Sequence, residues 1–264
     1  PNIKAEEDKN LKDLLSSGSE VLVVFGKSWD FQVTEIIKTS LEENLNMIRD
    51  TIDYLCKNGK RVIFDAEHFY DGFKSNKDYA MATIKAAQES GAETVVLCDT
   101  NGGTLPPEIH EITKSVEKTI DIEIGVHSHD DMGMAVANSI MAVEAGAKHV
   151  QGTFIGIGER CGNANLSAII PILKFKLGID ILDGIDLIDL TKTSRFIAEV
   201  CNMTLDDESP FVGNSSFAHK GGMHIDAVTK CSKSYEHIEP QLVGNKRRFL
   251  VSEVSGKSTI LQEI

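Results

Sequence analysis

The sequence is poor in cysteine and contains no long apolar run. Five cysteines are scattered among its 264 residues without a Cys-x-x-Cys pair, which argues against a disulfide framework and against a zinc knuckle. This usage predicts a reducing, cytoplasmic location, and we interpret Cys161 as a buried, inert thiol. No stretch approaches the roughly 18 apolar residues of a membrane-spanning helix, and no signal peptide opens the chain.

Basic residues are scarce relative to acidic ones. The chain has 27 Lys and Arg against 40 Asp and Glu, for a formal net charge of -13. Its densest basic cluster is the short run Lys246-Arg247-Arg248. Because nucleic acids and anionic membranes are both recognised by positively charged surfaces, we expect neither as a partner.

Short apolar runs recur along the chain, and each is followed by a helical pattern. β-branched residues dominate several of the runs, as in buried parallel strands. Apolar spacing over Leu41 to Leu55, prolines at 106 and 107, and glycines at 91 and 146 mark helices between them. The runs are Val21 to Phe25, Arg61 to Phe64, Thr94 to Leu97, Ile122 to Val126 and His149 to Phe154.

This alternation predicts an α/β fold with an all-parallel sheet, either open and doubly wound or closed as a (β/α)8 barrel. We interpret it as a TIM barrel of which this chain holds about five of the eight units. Since the chain begins at Pro1 without Met, inside a polar loop pattern, we expect the other three units to precede it. The pattern changes after Gly178, so we predict the C-terminal part of the barrel over 1–180 and a helical linker subdomain over 181–264.

Two histidines at the end of the fourth run carry the clearest chemical signal. Residues two apart in a strand point to the same face, so His127 and His129 would present two imidazoles side by side. Such a pair suits a divalent metal. The alternative is a pair of histidines that are simply hydrogen-bonded near the end of a strand.

Polar residues also follow the other runs, where a barrel enzyme carries its chemistry. Asp65 and Glu67 share one face of the second strand, Thr100 follows the third, and Asn163 ends a glycine-rich stretch after the fifth. The glycine spacing does not match the dinucleotide-binding fingerprint. The two acids could instead cap or bridge loops, and Thr100 could bond its own turn. We expect these side chains to meet at one mouth, where a metal and a carbonyl substrate could be held.

Two longer strings make the pattern specific. These are His-Ser-His-Asp-Asp-Met-Gly-Met-Ala-Val-Ala-Asn-Ser at 127–139 and Gly-Ile-Gly-Glu-Arg-Cys-Gly-Asn-Ala-Asn-Leu at 156–166. With them, the chain resembles the acetyl-CoA-dependent Claisen-condensing synthases of the TIM-barrel metallolyase superfamily, which include isopropylmalate, homocitrate and citramalate synthases. The strings at 64–74, 98–103 and 235–240 are most similar to the citramalate synthase branch.

The resemblance implies roles for individual residues of the barrel part. His127 and His129 match the two metal-binding histidines, and Asn163 matches an asparagine at or near the same metal. Glu67 matches a glutamate near the acetyl-CoA methyl group. Thr100 matches a threonine that contacts the keto acid, and Asp65 falls where the family tunes the keto-acid pocket. The histidine and oxygen ligands would accept Mg²⁺, Mn²⁺, Zn²⁺ or Co²⁺.

Two further residues are matched in the linker region. His224 corresponds to a histidine implicated in acid-base chemistry, which reaches the barrel mouth of the partner subunit in family dimers, and Tyr235 corresponds to a tyrosine of the same region. The resemblance therefore implies a homodimer. The family's Asp-Thr-Thr-Leu-Arg-Asp-Gly element and its regulatory domain have no counterpart here, so we expect a fragment of a longer enzyme.

The implied reaction is a metal-dependent condensation of acetyl-CoA with a 2-keto acid. For the citramalate branch the acid is pyruvate and the products are (R)-citramalate and CoA, in isoleucine and branched-chain amino-acid biosynthesis. Three alternatives stay open: a different acceptor, 2-ketoisovalerate or 2-ketoglutarate, as in isopropylmalate or homocitrate synthase; a carbon-carbon lyase of the same superfamily; and a truncated, non-catalytic chain.

Overall fold

A computed structural model describes residues 3–250, which form two compact units. The first, here the sheet unit, comprises residues 3–152 and 158–164. The second, here the C-terminal unit, comprises residues 153–157 and 165–250. This division precedes Gly178, after which the sequence pattern changes. The assignment of 1–180 as the barrel part and 181–264 as the linker stays a prediction.

The sheet unit contains five parallel strands in the order of the chain. Each predicted apolar run supplies one of them. The strands are β1 (Val21–Lys27), β2 (Arg61–Glu67), β3 (Thr94–Asp99), β4 (Glu123–Ser128) and β5 (His149–Gln151). The fifth strand is shorter than its apolar run predicts, because Thr153 leaves the sheet and bonds Ile157 of its own loop.

One helix of the sheet unit precedes β1, and the others of this unit connect successive strands. The helices are α1 (Lys9–Ser16), α2 (Leu41–Lys57), α3 (Phe69–Ser75), α4 (Lys77–Glu89), α5 (Pro106–Glu117) and α6 (Ala135–Glu144). The predicted start of α5 is confirmed, because Pro106 opens that helix. At the start of α2, Ser40 accepts a hydrogen bond from the backbone N–H of Glu43. Gly91 and Gly146, with φ of +99° and +115°, follow α4 and α6 in a conformation that favours glycine.

One face of the sheet packs against these helices. Leu22, Phe64 and Val126 are buried on that face together with Ile52 and Leu55 of α2. Each buried side chain of this size contributes about 1.5–3 kcal/mol relative to an exposed one. The opposite face carries the odd-numbered residues of β1, β2 and β4. On β1 these include the exposed apolar Val23 and Phe25, whereas polar side chains such as Glu67 and His127 lie near the carboxyl ends of the strands.

The C-terminal unit is mainly helical. It contains α7 (Leu166–Lys176), α8 (Leu190–Val200) and α9 (Gly222–Lys230), with a short parallel pair formed by β6 (Ala218–His219) and β7 (Arg248–Phe249). Its most buried charged group is Glu236, which pairs with Arg247 and with His219. Among the helices of residues 3–250, none has the length and apolar character that crossing a membrane requires.

Candidate active site

A row of polar side chains crosses the face of the sheet opposite the helices. Lys27 is the register partner of Glu67, Cys98 is the partner of His127, and His127 is the partner of Gln151. The pairing of Ala66 with Leu97 places Glu67 beside Cys98. All five strands therefore bring one residue each to the same level near their carboxyl ends, where α/β proteins bind ligands.

A cavity of about 220 Å³ opens over this row. Five of the eight residues predicted from the sequence line it, with Phe25 and Cys98 completing the wall. The predicted residues are Asp65, Glu67, Thr100, His127 and His129. The structure thus brings the two acids, the threonine and the two histidines together, as expected from the strand ends.

The two histidines lie side by side. Their ring centroids are 5.2 Å apart and the rings are tilted by 53°. Nδ1 of His127 lies 2.8 Å from Oε1 of Gln151, whereas Nδ1 of His129 is buried without a hydrogen-bond partner among residues 3–250. Burial, with the charges of His127 and Arg160, lowers the pKa of His129, which favours the neutral imidazole that binds metals.

The donor chemistry of this pair fits a divalent metal. Two neighbouring imidazoles, one of which has a buried ring nitrogen without a hydrogen-bond partner in the described part of the chain, are suitable metal ligands. Two ligands fill only part of a coordination sphere. Within residues 3–250 there is no cluster of three or more His, Cys, Asp or Glu side chains that could hold an ion. Cys98 stands next to the histidines, yet burial and the nearby carboxylates raise the pKa of its thiol well above the usual value, which disfavours the thiolate a metal needs.

Asn163 is held next to His129 by backbone pairing. The loop at 158–164 returns to the end of β4: Asn163 and His129 form an antiparallel bridge, and the amide of Asp130 donates to the carbonyl of Gly162 at 3.0 Å. A Cβ on Gly158 would lie 2.1 Å from the Asn163 side-chain nitrogen, so only glycine leaves room for that amide. The loop therefore presents Asn163 at the level of the histidine pair.

Thr100 is fixed by two neighbours. Its Oγ1 accepts a hydrogen bond from the backbone N–H of His68 at 2.8 Å. Its carbonyl accepts one from the guanidinium of Arg160 at 2.7 Å, while the same guanidinium binds both carboxylate oxygens of Asp131. This pairing lowers the pKa of Asp131. Arg160 thus ties the loop at 158–164 to the turn that carries Thr100.

The two acids of β2 have different partners. Oε2 of Glu67 lies 2.6 Å from Nζ of Lys27, in a pair whose side chains are 24% and 20% exposed. Oδ1 of Asp65 accepts from Nε2 of Gln151 at 2.9 Å. Burial raises the pKa of Asp65, and the hydrogen bond from Gln151 opposes that rise. Among residues 3–250, neither side chain caps or bridges a loop, contrary to the simpler interpretation of the sequence.

His224 and Tyr235 belong to the C-terminal unit. Their rings are stacked, with centroids 4.0 Å apart and an angle of 24° between the planes. Both side chains are exposed within the described residues. The structure brings these two residues together, and the acid-base role predicted for them stays a prediction.

The sequence interpretation missed some residues of the site and misplaced one. Lys27, Gln151, Asp131 and Arg160 were not singled out, although Lys27 and Gln151 end strands as the predicted residues do. The interpretation of Cys161 as a buried thiol is wrong, because Cys161 is exposed in the glycine-rich loop. The residues that precede it, 158–160, are exposed as well, so this part of the loop lies at the surface among the described residues.

Comparison with known families matches most of the chain. The model of the HMGL-like family matches residues 4–197, and that of the homocitrate synthase post-HMGL domain-like family matches residues 211–264. Among curated relatives, the (R)-citramalate synthase of Aquifex aeolicus is 54% identical over 265 residues, covering 100% of this chain and 50% of its own length. The (R)-citramalate synthase of Synechocystis is 53% identical, with the same coverage.

More distant relatives extend this pattern. The 2-isopropylmalate synthase 2 of Caldanaerobacter subterraneus is 30% identical over 97% of this chain and 65% of its own. Among solved structures, an HMG-CoA lyase of Bacillus subtilis superposes with a TM-score of 0.64 at 20% identity, covering 78% of this chain and 70% of that one. At that identity the likeness concerns the fold, a (β/α)8 barrel of which the described sheet forms five consecutive units.

The chain spans about half the length of the curated citramalate synthases it matches. Its parallel sheet, the histidine pair at the end of β4 and the match over residues 4–197 agree with one another. The chain belongs to the HMGL-like family.

Proposed function

We propose that this chain carries the metal-binding part of an acyltransferase active site that condenses acetyl-CoA with pyruvate. The acetyl methyl carbon forms the new carbon-carbon bond to the keto carbon, and water then hydrolyses the resulting citramalyl thioester to (R)-citramalate and CoA. The observation that carries the proposal is the cavity in which the histidine pair, Glu67 and Thr100 meet. The choice of pyruvate rests on relatives: those named (R)-citramalate synthase are 45–54% identical to this chain. The 2-isopropylmalate and homocitrate synthases are 30–35% identical.

The metal site would use His127 and His129, with the side-chain oxygen of Asn163 as a neighbouring donor. Mg²⁺, Mn²⁺ and Zn²⁺ all accept such ligands. The coordination positions that residues 3–250 do not fill would be available to other oxygen ligands, including those of the keto acid. When bound, the metal would act as a Lewis acid that polarises the keto carbonyl of the acceptor. The lowered pKa of His129 supports this role, since a neutral imidazole is the binding form.

Glu67 is the residue we assign to removal of a proton from the acetyl methyl group. Lys27 engages its Oε2, so Oε1 is the oxygen that would accept the proton. The carboxylate lies in a partly buried cavity beside Cys98 rather than in open water, which strengthens electrostatic interactions there. Acid-base help of this kind contributes about 10²- to 10⁴-fold in rate.

Thr100 would orient the keto acid. Its hydroxyl oxygen already accepts the N–H of His68, so its own proton is available for a carboxylate or carbonyl oxygen in the cavity. Asp65 lines the same cavity and would set its shape next to the acceptor. The stacked pair of His224 and Tyr235 would supply further acid-base groups, reaching the site of a partner subunit in a homodimer.

A direct test measures CoA thiol release by the full-length gene product. Acetyl-CoA would be offered with pyruvate, 2-ketoisovalerate or 2-ketoglutarate, each with added Mg²⁺ or Mn²⁺ and each with a chelator. We expect release that needs both the metal and pyruvate. Preference for a bulkier acid would replace the proposed acceptor, and no release with any of the three would refute the condensing function.

A further inference from the structure

A chain of two hydrogen bonds connects three strands across the candidate site. Asp65 on β2 accepts from Nε2 of Gln151 on β5 at 2.9 Å, and Oε1 of Gln151 faces Nδ1 of His127 on β4 at 2.8 Å. All three side chains are half-buried. Asp65 and Gln151 are 86 positions apart in the sequence, so the contact depends on the fold.

The chemistry of an amide fixes which group donates and which accepts in each of these two hydrogen bonds. A glutamine has one acceptor oxygen and one donor nitrogen, whereas a carboxylate can only accept. Because Asp65 takes the nitrogen of Gln151, the amide oxygen is left facing His127. An acceptor at that position needs a protonated Nδ1, which leaves the lone pair of His127 on Nε2.

We propose that Gln151 is a positioning residue that fixes the tautomer and the ring orientation of His127. Asp65 orients the amide of Gln151, and the amide in turn orients the imidazole. The consequence for metal binding rests on the proposed function, in which His127 is a ligand. Neutral imidazoles bind metals through one nitrogen while the other donates to a fixed acceptor, and loss of such an acceptor typically costs about 10- to 100-fold in metal affinity.

Glutamine is specifically suited to this position. A glutamate at 151 would place a second carboxylate against Asp65 and could not donate to it. A leucine of similar size would contact neither neighbour through a hydrogen bond. Only an amide combines a donor toward the carboxylate with an acceptor toward the ring N–H, and Gln151 has the length to reach both.

The first experiment reads the tautomer directly. The full-length protein would be labelled with ¹⁵N-histidine, and long-range ¹H–¹⁵N spectra would be recorded without metal over a range of pH, in which the ¹⁵N shifts themselves identify the neutral ring. The His127 signals would be assigned by their loss in His127→Asn. We expect a protonated Nδ1 and an unprotonated Nε2 for His127, whereas an unprotonated Nδ1 in the wild type would overturn the proposal.

Two variants test the two hydrogen bonds of Gln151. Gln151→Leu should remove the preference for the Nδ1-protonated form and weaken Mn²⁺ binding, measured by calorimetry, about 10- to 100-fold. Asp65→Asn keeps the shape but lets the amide of Gln151 invert, so the Nδ1-protonated fraction should fall there as well. Gln241→Leu, at an exposed position of the C-terminal unit, is the matched control. It should change neither the tautomer of His127 nor the affinity for Mn²⁺.

The outcomes separate this proposal from the proposed function. An unchanged tautomer and unchanged affinity in both variants would refute the role of Gln151, even if the wild type releases CoA. Conversely, the expected tautomer shifts in an enzyme without condensing activity would support the hydrogen-bond chain and refute the function. If Gln151→Leu does not fold, the near-isosteric variant Asp65→Asn still tests the proposal, because the tautomer of His127 can be measured in it.

Discussion

The ammonium group of Lys27 lies 2.6 Å from Oε2 of Glu67, at the level where β1 and β2 end. The pair is largely shielded from solvent, unlike the ion pair of Lys57 and Asp53 on α2, which has the same separation but side chains 73% and 49% exposed. Screening by water makes exposed pairs weak, whereas the shielded pair in the cavity is positioned to act on the charge of Glu67.

Replacing Lys27 therefore tests the assignment of Glu67 as the base. Lys27→Met should lower kcat for CoA release about 10- to 100-fold, because hydrogen bonds to a charged group contribute about 1.5–3 kcal/mol. The matched variant Lys57→Met should leave kcat unchanged. Steady-state kinetics of both variants in the full-length protein make the comparison, and an unaltered kcat in Lys27→Met would remove Lys27 from the account.

Loss of either histidine should abolish the metal site. His127→Ala and His129→Ala should each weaken Mn²⁺ binding by at least about 100-fold, since each removes one of the two nitrogen donors. His110→Ala, on α5 and outside the cavity, serves as the control. Calorimetric titration gives the affinities directly, and wild-type affinity in both ligand variants would mean that the ion binds elsewhere.

The contact of Arg160 with Thr100 should matter for the keto acid more than for chemistry. Arg160→Lys keeps the charge but cannot bind both oxygens of Asp131 and the Thr100 carbonyl together. Loss of about 1.4 kcal/mol of positioning would raise KM for pyruvate about tenfold. The control variant Arg49→Lys, on the exposed face of α2, should leave KM for pyruvate unchanged. Equal KM values for the two variants would show that Arg160 does not position Thr100.

The C-terminal unit should lose stability in acid through Glu236. Burial would raise the pKa of this carboxyl, but the hydrogen bonds from Arg247 and His219 outweigh burial and lower it. The stabilisation is therefore present above the unfolded pKa, near 4.5, and is lost as the pH falls through the lower folded value.

Glu236→Gln should remove this pH dependence and cost about 2 kcal/mol at pH 7. Amide hydrogen exchange in α9, followed from pH 7 to pH 3 by mass spectrometry, measures it within the intact protein. Glu199→Gln, exposed on α8, is the control. A variant that keeps the acid-dependent loss of protection seen in the wild type would assign that loss to another group.

Much of the sheet and half of the site could be predicted from periodicity. Parallel strands end at one edge, so polar residues after apolar runs must meet there, and this argument correctly joined Glu67, Thr100, His127 and His129. Lys27 was missed because the apolar run of β1 ends at Phe25, two residues before the strand does. Gln151 was missed because the predicted fifth run was extended to Phe154, three residues past the end of β5, so Gln151 was not recognised as the end of a strand.

Other contacts leave no local signal in the sequence. The pairing of Arg160 with Asp131 joins residues 29 positions apart, and that of Gln151 with Asp65 spans 86. Both depend on how strands and loops are placed in space rather than on any short spacing. The surface position of Cys161 likewise follows from the path of a loop that no periodic pattern describes.

The central claim is that a new carbon-carbon bond forms between the acetyl methyl group and pyruvate. The most direct measurement incubates the full-length protein and Mn²⁺ with [2-¹³C]acetyl-CoA and unlabelled pyruvate, and identifies the products by ¹³C NMR and chiral chromatography. The account predicts (R)-citramalate with the label in its methylene carbon and none of it in His127→Ala. Labelled acetate alone, which indicates simple thioester hydrolysis, or the absence of any labelled product would contradict it.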